Sequence, residues 1–141
     1  MSSLPASPAI GAGRVVICDY NALLLSVTGL LRMKGYQVFQ AYDGQAATEL
    51  CVQMPDISLL VLNTHGTGVD TPTLVRDIRK RSPRLPVLHI GKAPIPGMPS
   101  DVVDLHESFT AEQLLETVRD LVAGADAGPH APVLSASAAS R

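Results

Sequence analysis

The side chains that could do chemistry in this chain follow its short apolar stretches. Asp19 follows the first stretch, Asn63 and His65 follow a second, and His106 and Glu107 follow a later one. Carboxylates and imidazoles can bind metal ions or accept protons. The amide of Asn63 does neither well, and it comes after the most apolar stretch of all, Ile57 with Leu59 to Leu62. The pattern therefore places polar groups after the apolar stretches, and the group after the most apolar stretch is an amide, which is a poor metal ligand and a poor base.

These groups need a scaffold, and the pattern around them favours an α/β fold. Apolar runs of four to seven residues alternate with segments that repeat apolar residues every three or four positions. This alternation predicts a five-stranded, doubly wound parallel sheet with helices on both faces. In such sheets, ligands bind beyond the carboxyl ends of the strands. The predicted strands are 15–18, 36–40, 57–63, 86–90 and 102–105, and helices are expected to start at caps Asn21, Asp43 and Thr110 and near Thr71.

One connection breaks the alternation. Residues 91–100 contain Pro94, Pro96 and Pro99 and two glycines. Proline removes a backbone donor and clashes inside a helix. We therefore expect a loop or a single turn between the last two strands, with the fourth helix shortened or absent.

Composition limits the classes of function. The net charge is -2 without a basic cluster, which argues against nucleic acid as a partner. No apolar run approaches the roughly 18 residues of a membrane span, and residues 1–13 do not resemble a secretory signal. Cys18 and Cys51 are expected to be small buried residues. We predict a cytoplasmic protein with a flexible tail at 1–13, one domain at 14–123 and a disordered Ala/Ser/Pro-rich tail at 124–141.

Several short segments resemble the receiver domain of bacterial two-component response regulators. The resemblance spans about residues 14–123 and implies a flavodoxin-like fold. No single segment is specific, but their order and spacing together are. The segments are Val15–Asp19, Gly35–Val38, Ala41–Ala47, Pro55–Asp56, Leu85–Leu88 and Phe109–Leu115.

The resemblance also implies a phosphorylation site, and this chain departs from it. Receivers accept a phosphoryl group from a histidine kinase on an aspartate, beside a magnesium ion held by an acidic pair. A hydroxyl, an aromatic switch residue and a lysine complete that site. By position, the acceptor falls on Asn63, the metal-site positions on Asp19, Tyr20 and His65, and the switch positions on Gly91, Asp104 and Glu107. An amide cannot form an acyl phosphate, and one carboxylate is expected to bind magnesium weakly or not at all.

Other interpretations of these residues stay open. Asn63 could cap the turn after its strand or hold the loop in an active-like shape. Asp19 could cap a helix or bind a backbone donor instead of a metal. Glu107 could be a solvated charge or could repel phosphate. His65, His89 and His106 with Asp19 could form a zinc-type site.

We therefore predict a non-enzymatic, stand-alone pseudo-receiver without a cofactor, which acts by protein–protein contact. Its partner would be a histidine kinase, an output protein or a second copy. The partner surface is predicted on the exposed loop, at Lys92, Ile95 and Met98. The alternatives are a working phosphoreceiver with an atypical acceptor and a small metal-binding flavodoxin-like protein.

Overall fold

The computed structural model describes residues 13–20, 24–54, 56–64 and 68–127. Five strands and four helices alternate along this part of the chain, except between the last two strands. The strands are β1 (Arg14–Asp19), β2 (Gln37–Ala41), β3 (Ile57–Asn63), β4 (Val87–Gly91) and β5 (Val103–His106). The helices are α1 (Leu25–Met33), α2 (Gly44–Gln53), α3 (Thr71–Arg79) and α4 (Ala111–Ala127).

All five strands pair in parallel, in the order β2-β1-β3-β4-β5. This is the strand order of flavodoxin-like sheets, and it confirms the predicted fold. The most apolar strand, β3, lies at the centre. The register pairs Asp19 with Asn63 and Gly91 with His106, so the strand ends that carry polar residues meet at one edge.

The sheet separates two apolar cores because successive side chains of a strand face opposite sides. Both cysteines are free and buried in the second core, and burial raises the pKa of Cys18 to about 12 and of Cys51 to about 11. They are small buried residues, as predicted. The first core contains Val15, Ile17, Val27, Leu31, Leu59, Val61, Leu88, Ile90, Leu114 and Val118. The second contains Val16, Cys18, Ala47, Cys51, Leu60, Leu62, Val75, Ile78 and Val87.

The predicted caps at Asp43 and Thr110 are confirmed. Asp43 Oδ1 accepts a hydrogen bond from the backbone N–H of Ala46 at 2.8 Å. At α4, the N–H of Gln113 donates to Thr110 Oγ1 at 3.0 Å, and Gln113 Oε1 accepts from the N–H of Thr110 at 2.9 Å. Such contacts satisfy donors that a helix start leaves unpaired. The third predicted cap, Asn21, lies outside the described residues.

The connection between β4 and β5 contains no helix from residue 92 to residue 102, as its prolines predict. Arg79, at the end of α3, fixes this loop. Its guanidinium donates two hydrogen bonds of 2.8 Å to the carboxylate of Asp101 and two of 3.1 and 2.8 Å to the carbonyl of Leu85. The loop therefore returns to the sheet at a fixed point and leaves part of β4 and β5 without a covering helix.

The last helix is longer than predicted. It continues to Ala127 and passes through Gly124, where the tail was expected to begin. A glycine inside a helix costs only about 1 kcal/mol relative to alanine, so composition placed the helix end too early. Residues 1–12 and 128–141, where most of both predicted tails fall, lie outside the described residues. None of the described helices has the length and apolar character needed to cross a membrane.

Candidate functional site

The candidate site lies where β1 and β3 end side by side. Asp19 and Asn63 are register partners and are 1% and 2% exposed. The next residue, Thr64, is also buried, and its hydroxyl lies 2.6 Å from the hydroxyl of Thr71 at the start of α3. The fold thus brings the predicted acceptor position beside the one carboxylate that remains of the acidic pair.

Asp19 binds the backbone at the start of α1. Its Oδ2 accepts a hydrogen bond from the N–H of Leu24 at 2.6 Å. This is the backbone-partner role predicted for Asp19. Its other oxygen, Oδ1, is buried without a hydrogen-bond partner among the described residues. A buried carboxylate oxygen without a hydrogen-bond partner lowers the stability of the fold. Oδ1 of Asp19 is therefore a destabilising group at this edge.

Tyr20 reaches over the start of α2. Burial raises the pKa of this phenol, and the backbone N–H of Gly44 acts in the opposite direction. A Cβ at position 44 would lie 2.8 Å from the hydroxyl oxygen, so the phenol packs closely against the backbone of Gly44. The residue predicted for the second position of the acidic pair is thus a phenol that lies against the start of α2.

His89 fills the space that a side chain at position 91 would need. A Cβ on Gly91 would lie 3.0 Å from Cε1 and 3.2 Å from Nε2 of His89. The imidazole is buried, and its Nδ1 lies 2.8 Å from Oδ1 of Asp104, the register partner of His89 on β5. The residues predicted for two switch positions, Gly91 and Asp104, thus both lie against one buried ring. From the sequence alone, a metal ligand was the role considered for His89.

Glu107 and His106 end β5 at the surface. The side chain of Glu107 is exposed, and its backbone N–H donates to the carbonyl of Gly91 at 3.0 Å. His106 Nδ1 accepts a hydrogen bond from the N–H of Ser108 at 3.0 Å. Within the described ranges, no three histidine, cysteine or acidic side chains come together as metal ligands. His89, His106 and Asp19 therefore do not form the predicted metal site with one another. The fourth residue of that prediction, His65, lies outside the described residues.

The predicted partner surface lies on the loop after β4. Lys92 is exposed, whereas Ile95 and Met98 are half-buried. Met98 packs against the second core. Of the three residues predicted for this surface, Lys92 and Ile95 therefore contribute least to the packing of the core.

Comparison with known proteins adds the family context. No family model matches the sequence, and no curated protein matches it. Solved structures do match. The receiver domain of the hybrid histidine kinase CckA is 28% identical, with a TM-score of 0.67 over 78% of this chain and 99% of that domain. The chain has the fold of a response regulator receiver domain.

More distant structures have the same fold. A receiver domain protein from Clostridium thermocellum is 19% identical with a TM-score of 0.66, over 77% of this chain and 92% of that one. A CheY-like receiver from Methanospirillum hungatei is 15% identical with a TM-score of 0.66, again over 77% and 92%. The likeness to the CckA receiver indicates a module of two-component signalling.

Proposed function

We propose that the chain is a receiver-like module of two-component signalling that is not phosphorylated and acts by protein–protein contact. The observation that carries the proposal is the buried amide of Asn63, beside Asp19 at the end of the central strand. An acyl phosphate forms when a carboxylate acts as the nucleophile. The amide nitrogen of asparagine is not such a nucleophile, so the acceptor position cannot take the phosphoryl group.

The groups that would bind the transferred oxygens are replaced as well. Stabilising a phosphoryl group requires donors or cations aimed at its developing charge. Position 91 has no side chain, and His89 fills the adjoining space. Glu107 brings a negative charge where the fold usually has a lysine. Each replacement acts in the same direction, against phosphoryl transfer at this edge.

The edge also fits a magnesium ion poorly. Mg²⁺ prefers several oxygen ligands in an octahedral arrangement and gives up its water reluctantly. Oδ2 of Asp19 is bound to the N–H of Leu24, and the hydroxyl of Tyr20 lies against the backbone of Gly44. The described part of the edge then offers one uncommitted carboxylate oxygen. In our proposal the module has no cofactor and no enzymatic activity.

The loop after β4 is the proposed contact surface. It stands where a covering helix is missing, and its exposed Lys92 lies beside the open edge strand β5. Ile95, three residues further along the same loop, is half-buried. Strand β5 is short and alternates between half-buried and exposed residues. A histidine kinase or an output protein is the proposed partner, and a second copy of the chain would use the same face.

The contact surface can be tested with two matched substitutions. Ile95→Glu places a charge on the loop, and Met33→Glu places one on α1, where the methionine is 81% exposed. We expect a two-component kinase or output protein to co-purify with the wild type and with Met33→Glu, and to be lost with Ile95→Glu. Equal loss from both variants, or none from either, would contradict the assignment of this loop. Sedimentation of the same three proteins reports whether the partner is a second copy.

One observation favours the alternative of a receiver with an atypical acceptor. Oδ1 of Asp19 is a buried carboxylate oxygen without a described hydrogen-bond partner. If a phosphorylation assay gives a modified protein, Asp19 is therefore the described residue of this edge at which the phosphoryl group is expected.

A further inference from the structure

A cavity of about 220 Å³ opens on the side of β4 and β5 that no described helix covers. Its walls include His89, Gly91 and Lys92 from the end of β4 and Asp104 and His106 from β5. One water molecule needs only about 10 to 15 Å³ of such space. The cavity is therefore large enough for a small ligand or for a side chain of a partner.

His89 is held with one ring nitrogen free for a ligand. The residue is 4% exposed, and its Nδ1 is bonded to Asp104 at 2.8 Å. A fixed partner on one nitrogen orients the other. Nε2 lies beside Gly91 and on the wall of the cavity, and it forms no hydrogen bond within the described part of the chain. This nitrogen is the polar group that the cavity presents from its wall.

Lys92 supplies a cation at the same cavity. Its side chain is exposed and forms no ion pair with another described residue, while the carboxylate of Asp104 is already bonded to His89. When the ring carries a proton on both nitrogens, Nε2 donates a hydrogen bond as Nδ1 does. In that form Nε2 of His89 and Nζ of Lys92 are a pair of charged donors, which is the arrangement that binds carboxylate and phosphate oxygens. A metal ion fits less well, because Nδ1 of His106 is committed to the N–H of Ser108.

We propose that this cavity is an oxyanion site, in which His89 Nε2 and Lys92 Nζ bind a carboxylate or phosphate group. The site is built from β4, β5 and the loop, and it does not use Asn63 or Asp19. The proposed oxyanion site therefore does not depend on whether the β1–β3 edge is phosphorylated. The oxyanion can come from a free small molecule or from an acidic side chain of a partner.

The test is a titration of the whole chain, labelled at histidine, with inorganic phosphate and separately with acetate at constant ionic strength. We expect saturable shifts of the His89 ring resonances in nuclear magnetic resonance spectra. Losing one charged hydrogen bond should weaken binding about tenfold in Lys92→Gln. The matched control Lys34→Gln removes an exposed lysine of the α1–β2 turn and should bind as the wild type does.

Other outcomes count against the site. Shifts that stay linear with both anions, or that weaken equally in Lys92→Gln and Lys34→Gln, would mean general charge screening and overturn the proposal. His89→Gln should abolish saturable binding, judged by its remaining histidine resonances. Because a buried substitution can unfold the chain, the exposed Lys92 variant decides the result. Binding of phosphate alone or of acetate alone identifies which oxyanion the site selects.

Discussion

Replacing Gly91 by threonine would restore the hydroxyl that receivers have at the end of β4, and it tests whether His89 holds that space. The new Cβ would lie 3.0 Å from Cε1 and 3.2 Å from Nε2 of the ring. The imidazole would have to move by a few tenths of an ångström, which strains its 2.8 Å bond to Asp104. Overpacking of this kind costs about 1 to 3 kcal/mol. We therefore expect Gly91→Thr to lower the free energy of unfolding by about 2 kcal/mol.

A double-mutant cycle separates this mechanism from a general cost of threonine. If the ring is the obstacle, Gly91→Thr should cost little once His89→Ala has removed it. The two changes should then differ from additivity by about 2 kcal/mol. Urea unfolding measures all four free energies of unfolding. Gly29→Thr is the matched control, since a Cβ at Gly29 meets nothing within 4 Å.

Two results would refute the reasoning. The free energy of unfolding of Gly91→Thr could lie within about 0.5 kcal/mol of the wild-type value, which is the range of most surface substitutions. Alternatively, the costs of Gly91→Thr and His89→Ala could simply add. Either result would mean that the ring does not occupy the space of the missing side chain.

Three further predictions concern Asp19, the Arg79–Asp101 pair and recovery of phosphorylation. Asp19→Asn should be at least as stable as the wild type in urea, because the amide oxygen can still accept from the N–H of Leu24 and the buried negative charge is removed. Asp19→Ala should lose about 1 to 3 kcal/mol, because the buried N–H of Leu24 then has no acceptor; equal losses from the two variants would contradict this backbone-partner role. The Arg79 guanidinium holds the pKa of Asp101 below its ordinary value of 3.8, so the pair stabilises the fold above that pH and the contribution disappears as the pH falls through the folded-state pKa. Asp101→Asn should therefore flatten the acid end of the stability profile measured by thermal melts, and an unchanged profile would argue against the pair. Phosphorylation by acetyl phosphate should be recovered when the receiver residues are restored together, by Asn63→Asp, Tyr20→Asp, Gly91→Thr and Glu107→Lys. We expect this recovery to be efficient only when His89 is also replaced by a smaller residue. Full recovery with His89 intact would show that the ring does not obstruct the site.

The fold could be predicted from the sequence because its determinants are local. The apolar runs of β1 and β3 identify buried strands, and Asp43 and Thr110 mark helix starts by side chains that act within three residues. Pro94 and its neighbours exclude a helix before β5. Each of these signals is contained in a short window, so their order along the chain is sufficient to specify the topology.

The contacts that define the site could not be predicted in the same way. The His89–Asp104 bond joins residues fifteen positions apart and exists only in the observed register of β4 and β5. The contact of Tyr20 with Gly44 depends on the path of the chain between β1 and α2. Position-by-position comparison finds that Gly91 and Asp104 differ from a receiver, but it does not reveal that one imidazole links both differences.

The central claim is that the β1–β3 edge is not phosphorylated, and the intact mass of the protein after incubation with acetyl phosphate and magnesium tests it most directly. The account predicts an unchanged mass under conditions that fully modify a phosphorylatable receiver run in parallel. The addition of one phosphoryl group, located by peptide mapping to Asp19 or to another residue of the β1–β3 edge, would contradict it.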